Sequence, residues 1–146
     1  MLLIVIPLSE LSIVVTNKLN NAENFVVNYE KLQFKSHELV RAIEKISDLN
    51  ASAGYDIASL LSNESSVIDK FIEVKSYSGS PTFYWSSNEV DTAKKGKNKY
   101  FLYLVNRDLI DNLNYTPLMI QNPYKEMFMS SQWEMEAQNW KFQEIN

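Results

Sequence analysis

The chain has 146 residues, 45% of them hydrophobic, 12% aromatic and 22% charged, with 3 Gly and 4 Pro. That describes a single domain able to bury roughly 70% of its unfolded surface, and it excludes a disordered, collagen-like or coiled-coil chain. A net charge of −4 argues against a nucleic-acid coat protein, and the absence of Cys excludes a disulfide framework, a Cys-based zinc site, an iron–sulfur cluster and a thiol nucleophile while fitting a reducing, cytoplasmic setting.

The first ten residues are apolar but carry no positive flank, and Pro7 and Glu10 interrupt them well short of the ~20 apolar residues that span a bilayer. They read as a buried strand, with neither a membrane span nor a signal peptide. Asn20 to Ser36 reads as a helix. Asn20 or Asn21 caps it, Glu23 sits in its first turn, and Phe25, Tyr29 and Leu32 form an apolar stripe with Val26 beside it. Glu23 and Glu30 share a second face. Leu39, Val40, Ile43 and Ile46 fit a helical face, yet the following hairpin favours a strand over Val40–Ile46.

Asn50 to Gly54 is a turn, Tyr55 to Leu61 a strand, Ser62 to Ser66 a polar turn and Val67 to Ser76 a second strand. After a turn at Ser78 to Pro81, Thr82 to Trp85 reads as a short aromatic strand. Ser86 or Ser87 caps a short helix over Asn88 to Lys95, which Gly96 helps to break. Tyr100 to Val105 is the near-continuous apolar run of a strand buried on both faces. Pro117 to Pro123 is loop-like with a short strand. The tail over 124–146 carries Phe128, Trp133, Trp140 and Phe142, which should pack back on the domain or on a partner.

The chemistry concentrates in Gly54-Tyr-Asp-Ile57 and Phe71-Ile-Glu-Val-Lys75. Side chains alternate along a strand, so Glu73 and Lys75 face one way and Ile72 and Val74 the other. A hairpin centred on Glu64-Ser65 would oppose Asp56 and Glu73 on one face, with Cβ atoms roughly 5 Å apart. Two carboxylates that close repel unless a cation lies between them, and Mg²⁺ suits one or two carboxylates plus waters. Lys75 on the same face would position a water or steady charge on a phosphate. Together they make a metal-assisted phosphodiesterase site, against the plain alternative of a solvated polar hairpin face.

The ordered blocks Glu23, Tyr-Glu30-Lys-Leu, Ile-Glu-Lys-Ile-Ser47, Gly-Tyr-Asp-Ile57, Phe-Ile-Glu-Val-Lys75, Phe-Tyr-Trp-Ser-Ser-Asn-Glu89 and Tyr-Phe-Leu-Tyr-Leu-Val105 resemble a known family. It is the domain at the C-terminus of the plant NO VEIN protein, which looks like a member of the PD-(D/E)XK nuclease superfamily. The resemblance runs from about Asn21 to Pro123. It implies an α/β, restriction-endonuclease-like fold: a mixed central sheet flanked by helices, its first helix beside the catalytic hairpin. Carried over, Asp56 and Glu73 are metal ligands and Lys75 is the catalytic lysine. Of the first-helix positions Glu23 and Glu30, Glu23 is favoured to complete the site.

Lys94, Lys95, Lys97 and Lys99 cluster, either touching a phosphate backbone or forming a solvated loop. His37 lacks a catalytic companion and is assigned no chemistry. Phe83, Tyr84 and Trp85 suit core packing better than base stacking, and Glu89 suits a helix N-terminus. The resulting expectation is a Mg²⁺- or Mn²⁺-dependent DNA endonuclease domain of restriction or phage defence, a homodimer or a subunit of a helicase-like ATPase assembly, with no membrane partner. The alternative is an inactive module of the same fold that works by binding.

Overall fold

The computed structural model describes residues 22–136 and 142–145; the apolar N-terminal stretch, the Asn20/Asn21 cap and Trp140 lie outside the described residues. The first helix, α1 (Ala22–Gln33), buries Phe25, Val26 and Glu30. Leu32, expected in the apolar stripe, is 50% exposed. Residues two apart on a helix point to nearly opposite sides, so Glu30 and Leu32 cannot both face inward. Glu30 takes the inner position because a buried lysine, Lys70, meets it there.

Strand β1 (Glu44–Lys45) is only two residues long, shorter than the expected Val40–Ile46. Val40–Ala42 instead coils into a 3-10 turn. The neighbours Leu39 and Val40 both pack onto a small second core of Phe34, Ile43 and Leu60, which an alternating strand would not permit. β2 (Ile57–Ser59) and β3 (Lys70–Tyr77) follow, joined by a longer link than a tight hairpin. Asp69 pins that link by accepting from Leu61 N and Ser65 Oγ. His37 holds it from outside: its Nδ1 accepts from Leu39 N, so its Nε2 donates to Ser65 O at 3.0 Å.

Helix α2 (Ser87–Gly96) then crosses to β4 (Tyr100–Asn106), and β5 (Leu118–Gln121) and α3 (Pro123–Met129) complete the chain order. The sheet runs β1-β2-β3-β4-β5, antiparallel except for β3 beside β4. A parallel pair needs a crossover, and α2 supplies it. The result is a mixed central sheet flanked by helices, the α/β restriction-endonuclease-like arrangement. One face of β3 sends Ile72 and Val74 into a core with Phe25, Val26, Ile57, Tyr103 and Val105, under α1. β4 is buried on both faces, as its apolar run requires.

The segment Thr82–Trp85 is not a strand. It pairs with nothing in the sheet; Phe83 packs edge-on against Trp133, and Trp85 stacks on Phe128. Part of the aromatic tail therefore returns to the domain, whereas Phe142 is 93% exposed. No helix among the described residues is long and apolar enough to cross a membrane.

Candidate active site

The site is built on the turn that enters β2. Gly54 adopts φ +80°, and a Cβ there would collide with the Thr92 side chain of α2. Only glycine fits both the conformation and the contact. The Tyr100 hydroxyl donates to Gly54 O at 2.7 Å, tying the turn to the head of β4. Asp56 is the second residue after this turn.

The hairpin has the register expected from sequence: Ile57 pairs with Ile72, Ala58 with Phe71 and Ser59 with Lys70. At Asp56 the ladder changes. Its N–H donates to Ile72 O at 2.8 Å, and its Oδ2 accepts the N–H of Val74, also at 2.8 Å. The carboxylate is thus held against the backbone of β3 between Glu73 and Lys75. Glu73 is 3% exposed. Lys75 Nζ lies 2.9 Å from Glu73 Oε1 and 2.8 Å from Glu89 Oε2. Asp56, Glu73 and Lys75 therefore meet on the face of the sheet opposite α1.

The electrostatics follow from crowding acids where water is scarce. Burial pushes Asp56 up to about 6, opposed by the Val74 N–H and aided by the charge of Glu23. Burial pushes Glu73 up to about 8, with Asp56 adding repulsion and Lys75 opposing it. Burial works against the charge of Lys75, but its bonds to Glu89 and Glu73 hold its pKa above the usual lysine range.

Glu23 sits at the margin. Its Oε2 lies 2.8 Å from Lys45 Nζ and accepts from Ser47 Oγ at 2.9 Å. It acts on Asp56 through charge rather than by a shared hydrogen bond. Glu30 is committed to the other face, accepting from Tyr103 OH and Ser59 Oγ, each at 2.6 Å, and from Lys70 Nζ at 3.1 Å. Lys94, Lys95, Lys97 and Lys99 are exposed around the end of α2, with Lys94 Nζ 5.6 Å from the centroid of the Tyr124 ring.

Sequence reasoning gave Glu89 only a helix-terminal role. It does close a capping box with Ser86 at the start of α2, and that pattern fully accounted for it. The second role, as a partner of Lys75, has no local signal. The Glu30–Lys70–Tyr103 cluster was also missed. Its signal was available: Lys70 shares a face with Ile72 and Val74, and a lysine pointing into a core needs an acid.

Among the described residues, no three or more His, Cys, Asp and Glu side chains are arranged to hold a metal ion. Asp56 and Glu73 offer two carboxylates and no nitrogen or sulfur donor. Such a hard-oxygen set suits Mg²⁺ or Mn²⁺ completed by waters and substrate phosphates. The residues present fit such an ion.

The family model described as protein NO VEIN, C-terminal, matches residues 22–117, from the start of α1 to just before β5. No curated protein and no solved structure matches the chain.

Proposed function

This chain belongs to the NO VEIN C-terminal family, and on that premise we propose that it is a divalent-metal-dependent nuclease domain of the PD-(D/E)XK superfamily, hydrolysing phosphodiester bonds in DNA. The observation that carries this reading is the meeting of Asp56, Glu73 and Lys75 at the end of the β2–β3 hairpin. A cytoplasmic setting in restriction or phage defence, as a homodimer or beside a helicase-like ATPase subunit, goes with it.

Asp56 and Glu73 would hold Mg²⁺ or Mn²⁺. When bound, the ion supplies Lewis acidity at the phosphodiester and makes a nucleophile available at neutral pH. Burial and mutual repulsion resist the doubly ionised pair, so its deprotonation is coupled to cation binding. The Val74 N–H orients the Asp56 carboxylate. Lys75 spends ammonium donors on Glu73 and Glu89 and has a further N–H to offer a phosphate oxygen or an attacking water. Glu23, near Asp56, adds negative charge to the cation side.

The test is calorimetric titration of Mg²⁺ and Mn²⁺ into wild type and Asp56→Asn, followed by assay of DNA cleavage. Binding and cleavage in the wild type, and their loss in the variant, are expected. Cleavage by pure Asp56→Ala sinks the assignment.

A second reading has its own observation. Leu118 and Met119 on β5 and Phe128 and Met129 on the adjacent α3 are exposed. They fit a module that docks a larger partner, and that reading gains if the wild type binds neither ion.

A further inference from the structure

One contact in the site comes from outside the hairpin. One atom, Glu89 Oε2, accepts both the Lys75 ammonium at 2.8 Å and the Ser86 N–H at 3.0 Å. Ser86 Oγ in turn accepts the Glu89 N–H at 3.2 Å. The reciprocal cap fixes the Glu89 rotamer before Lys75 is considered. Helix α2 is itself tied to the loop that delivers Asp56. Asn88 Nδ2 donates to Ser52 O at 3.1 Å, and Thr92 fills the space left by the missing Cβ of Gly54. The helix that carries Glu89 is therefore braced against the same turn that sets Asp56.

Lys75 is a flexible side chain with two acids within reach. Left with Glu73 alone, its ammonium would settle on that carboxylate and compete with any cation for its oxygens. Glu89 pulls from the other side, and Lys75 contacts Glu73 through Oε1. Side-chain exposures of 19% for Lys75 and 22% for Glu89 mean that water screens this pull only in part.

We propose that Glu89 is a positioning residue: by holding the Lys75 ammonium between α2 and β3, it limits Lys75 to one oxygen of Glu73, leaves the other to the cation and aims Lys75 at the scissile phosphate. This rests on the nuclease reading above.

Glu89→Gln separates the two roles of Glu89. The amide oxygen still accepts the Ser86 N–H, but the charge that holds Lys75 is gone. Mn²⁺ calorimetry and thermal melting of the full chain, in wild type, Glu89→Gln, Lys75→Met and the double variant, make the test. Glu89→Gln is expected to melt close to wild type, to bind Mn²⁺ about tenfold more weakly, and to cleave DNA about 10–100-fold more slowly with little change in KM. In the Lys75→Met background the same substitution is expected to change Mn²⁺ affinity by less than about twofold, because its effect passes through Lys75. Equal losses in both backgrounds overturn the proposal, since Glu89 would then act on the cation directly. Wild-type affinity in Glu89→Gln overturns it as well. Ser86→Ala, which removes the Oγ half of the cap and keeps the Ser86 N–H on Glu89 Oε2, is expected to lower the melting temperature and leave Mn²⁺ affinity intact; a tenfold loss of affinity counts against the proposal. A wild type that neither binds Mn²⁺ nor cleaves DNA in its presence fails the nuclease reading itself, and this inference with it. A wild type that binds and cleaves, beside an unaffected Glu89→Gln, fails this inference alone.

Discussion

Replacing Asp56 by Asn should stabilise the fold. Asn keeps an oxygen to accept the Val74 N–H but never carries the buried charge. The Asp56 pKa stands at about 6 in the folded chain, against an ordinary 3.8. At about 1.36 kcal/mol per pKa unit, ionising it costs the folded state about 3 kcal/mol. Partial access to water reduces that, and we expect about 1–3 kcal/mol, or about 3–10 °C in melting temperature. The sign follows from linkage. A folded pKa raised above the unfolded one means the folded chain holds the proton more tightly. The associated stability is present below 3.8 and is lost as pH rises through about 6. The advantage of Asp56→Asn should therefore be absent in acid, open between those two values and be complete at neutral pH. Circular-dichroism melts of both proteins across this range, in chelator, measure it. Added Mn²⁺ should narrow the gap by stabilising only the wild type. An Asp56→Asn protein less stable than wild type at neutral pH, or an advantage independent of pH, would refute the reasoning.

Two further outcomes are expected. Lys70→Met strands the Glu30 carboxylate, which is 1% exposed, and should cost about 3–5 kcal/mol by urea denaturation, most of it recovered on adding Glu30→Leu; a loss under about 1 kcal/mol contradicts this. Changing Lys94, Lys95, Lys97 and Lys99 together to Gln should leave the melting temperature unchanged, weaken DNA binding and flatten its log–log salt dependence by about 0.9 for each phosphate no longer neutralised; an unaltered slope removes these lysines from the DNA path.

The hairpin register was legible because alternation in Phe71-Ile-Glu-Val-Lys75 leaves Glu73 and Lys75 one side and the apolar residues the other, and a one-residue shift would invert both. Element lengths were less legible. Leu39, Val40 and Ile43 have helical spacing, and the strand expectation came from the hairpin that follows; the second core around Phe34 and Leu60 is what holds them off the sheet. Phe83 and Trp85 look like strand residues, yet stacking on Phe128 and Trp133 gives them burial without a strand partner. Leu32 yields its inner place to Glu30 because Lys70, far along the chain, makes a buried carboxylate acceptable. Glu89 was hidden for the same reason. A cap is a local pattern that sequence displays, whereas an ion pair between β3 and α2 depends on where α2 lands.

β3 carries charged networks on both its faces. Lys70 meets Glu30 and Tyr103 on the α1 side, while Glu73 and Lys75 meet Glu89 on the α2 side. Sliding the strand by one position would turn Glu73 and Lys75 into the apolar core and bring Ile72 and Val74 out beside Glu89. Sliding it by two would keep the faces but part Lys70 from Glu30 and Lys75 from Glu89. The misaligned hairpins that an alternating sequence otherwise tolerates are thus penalised on both sides at once. The charges that make this centre expensive to bury also give the strand a single place to stop.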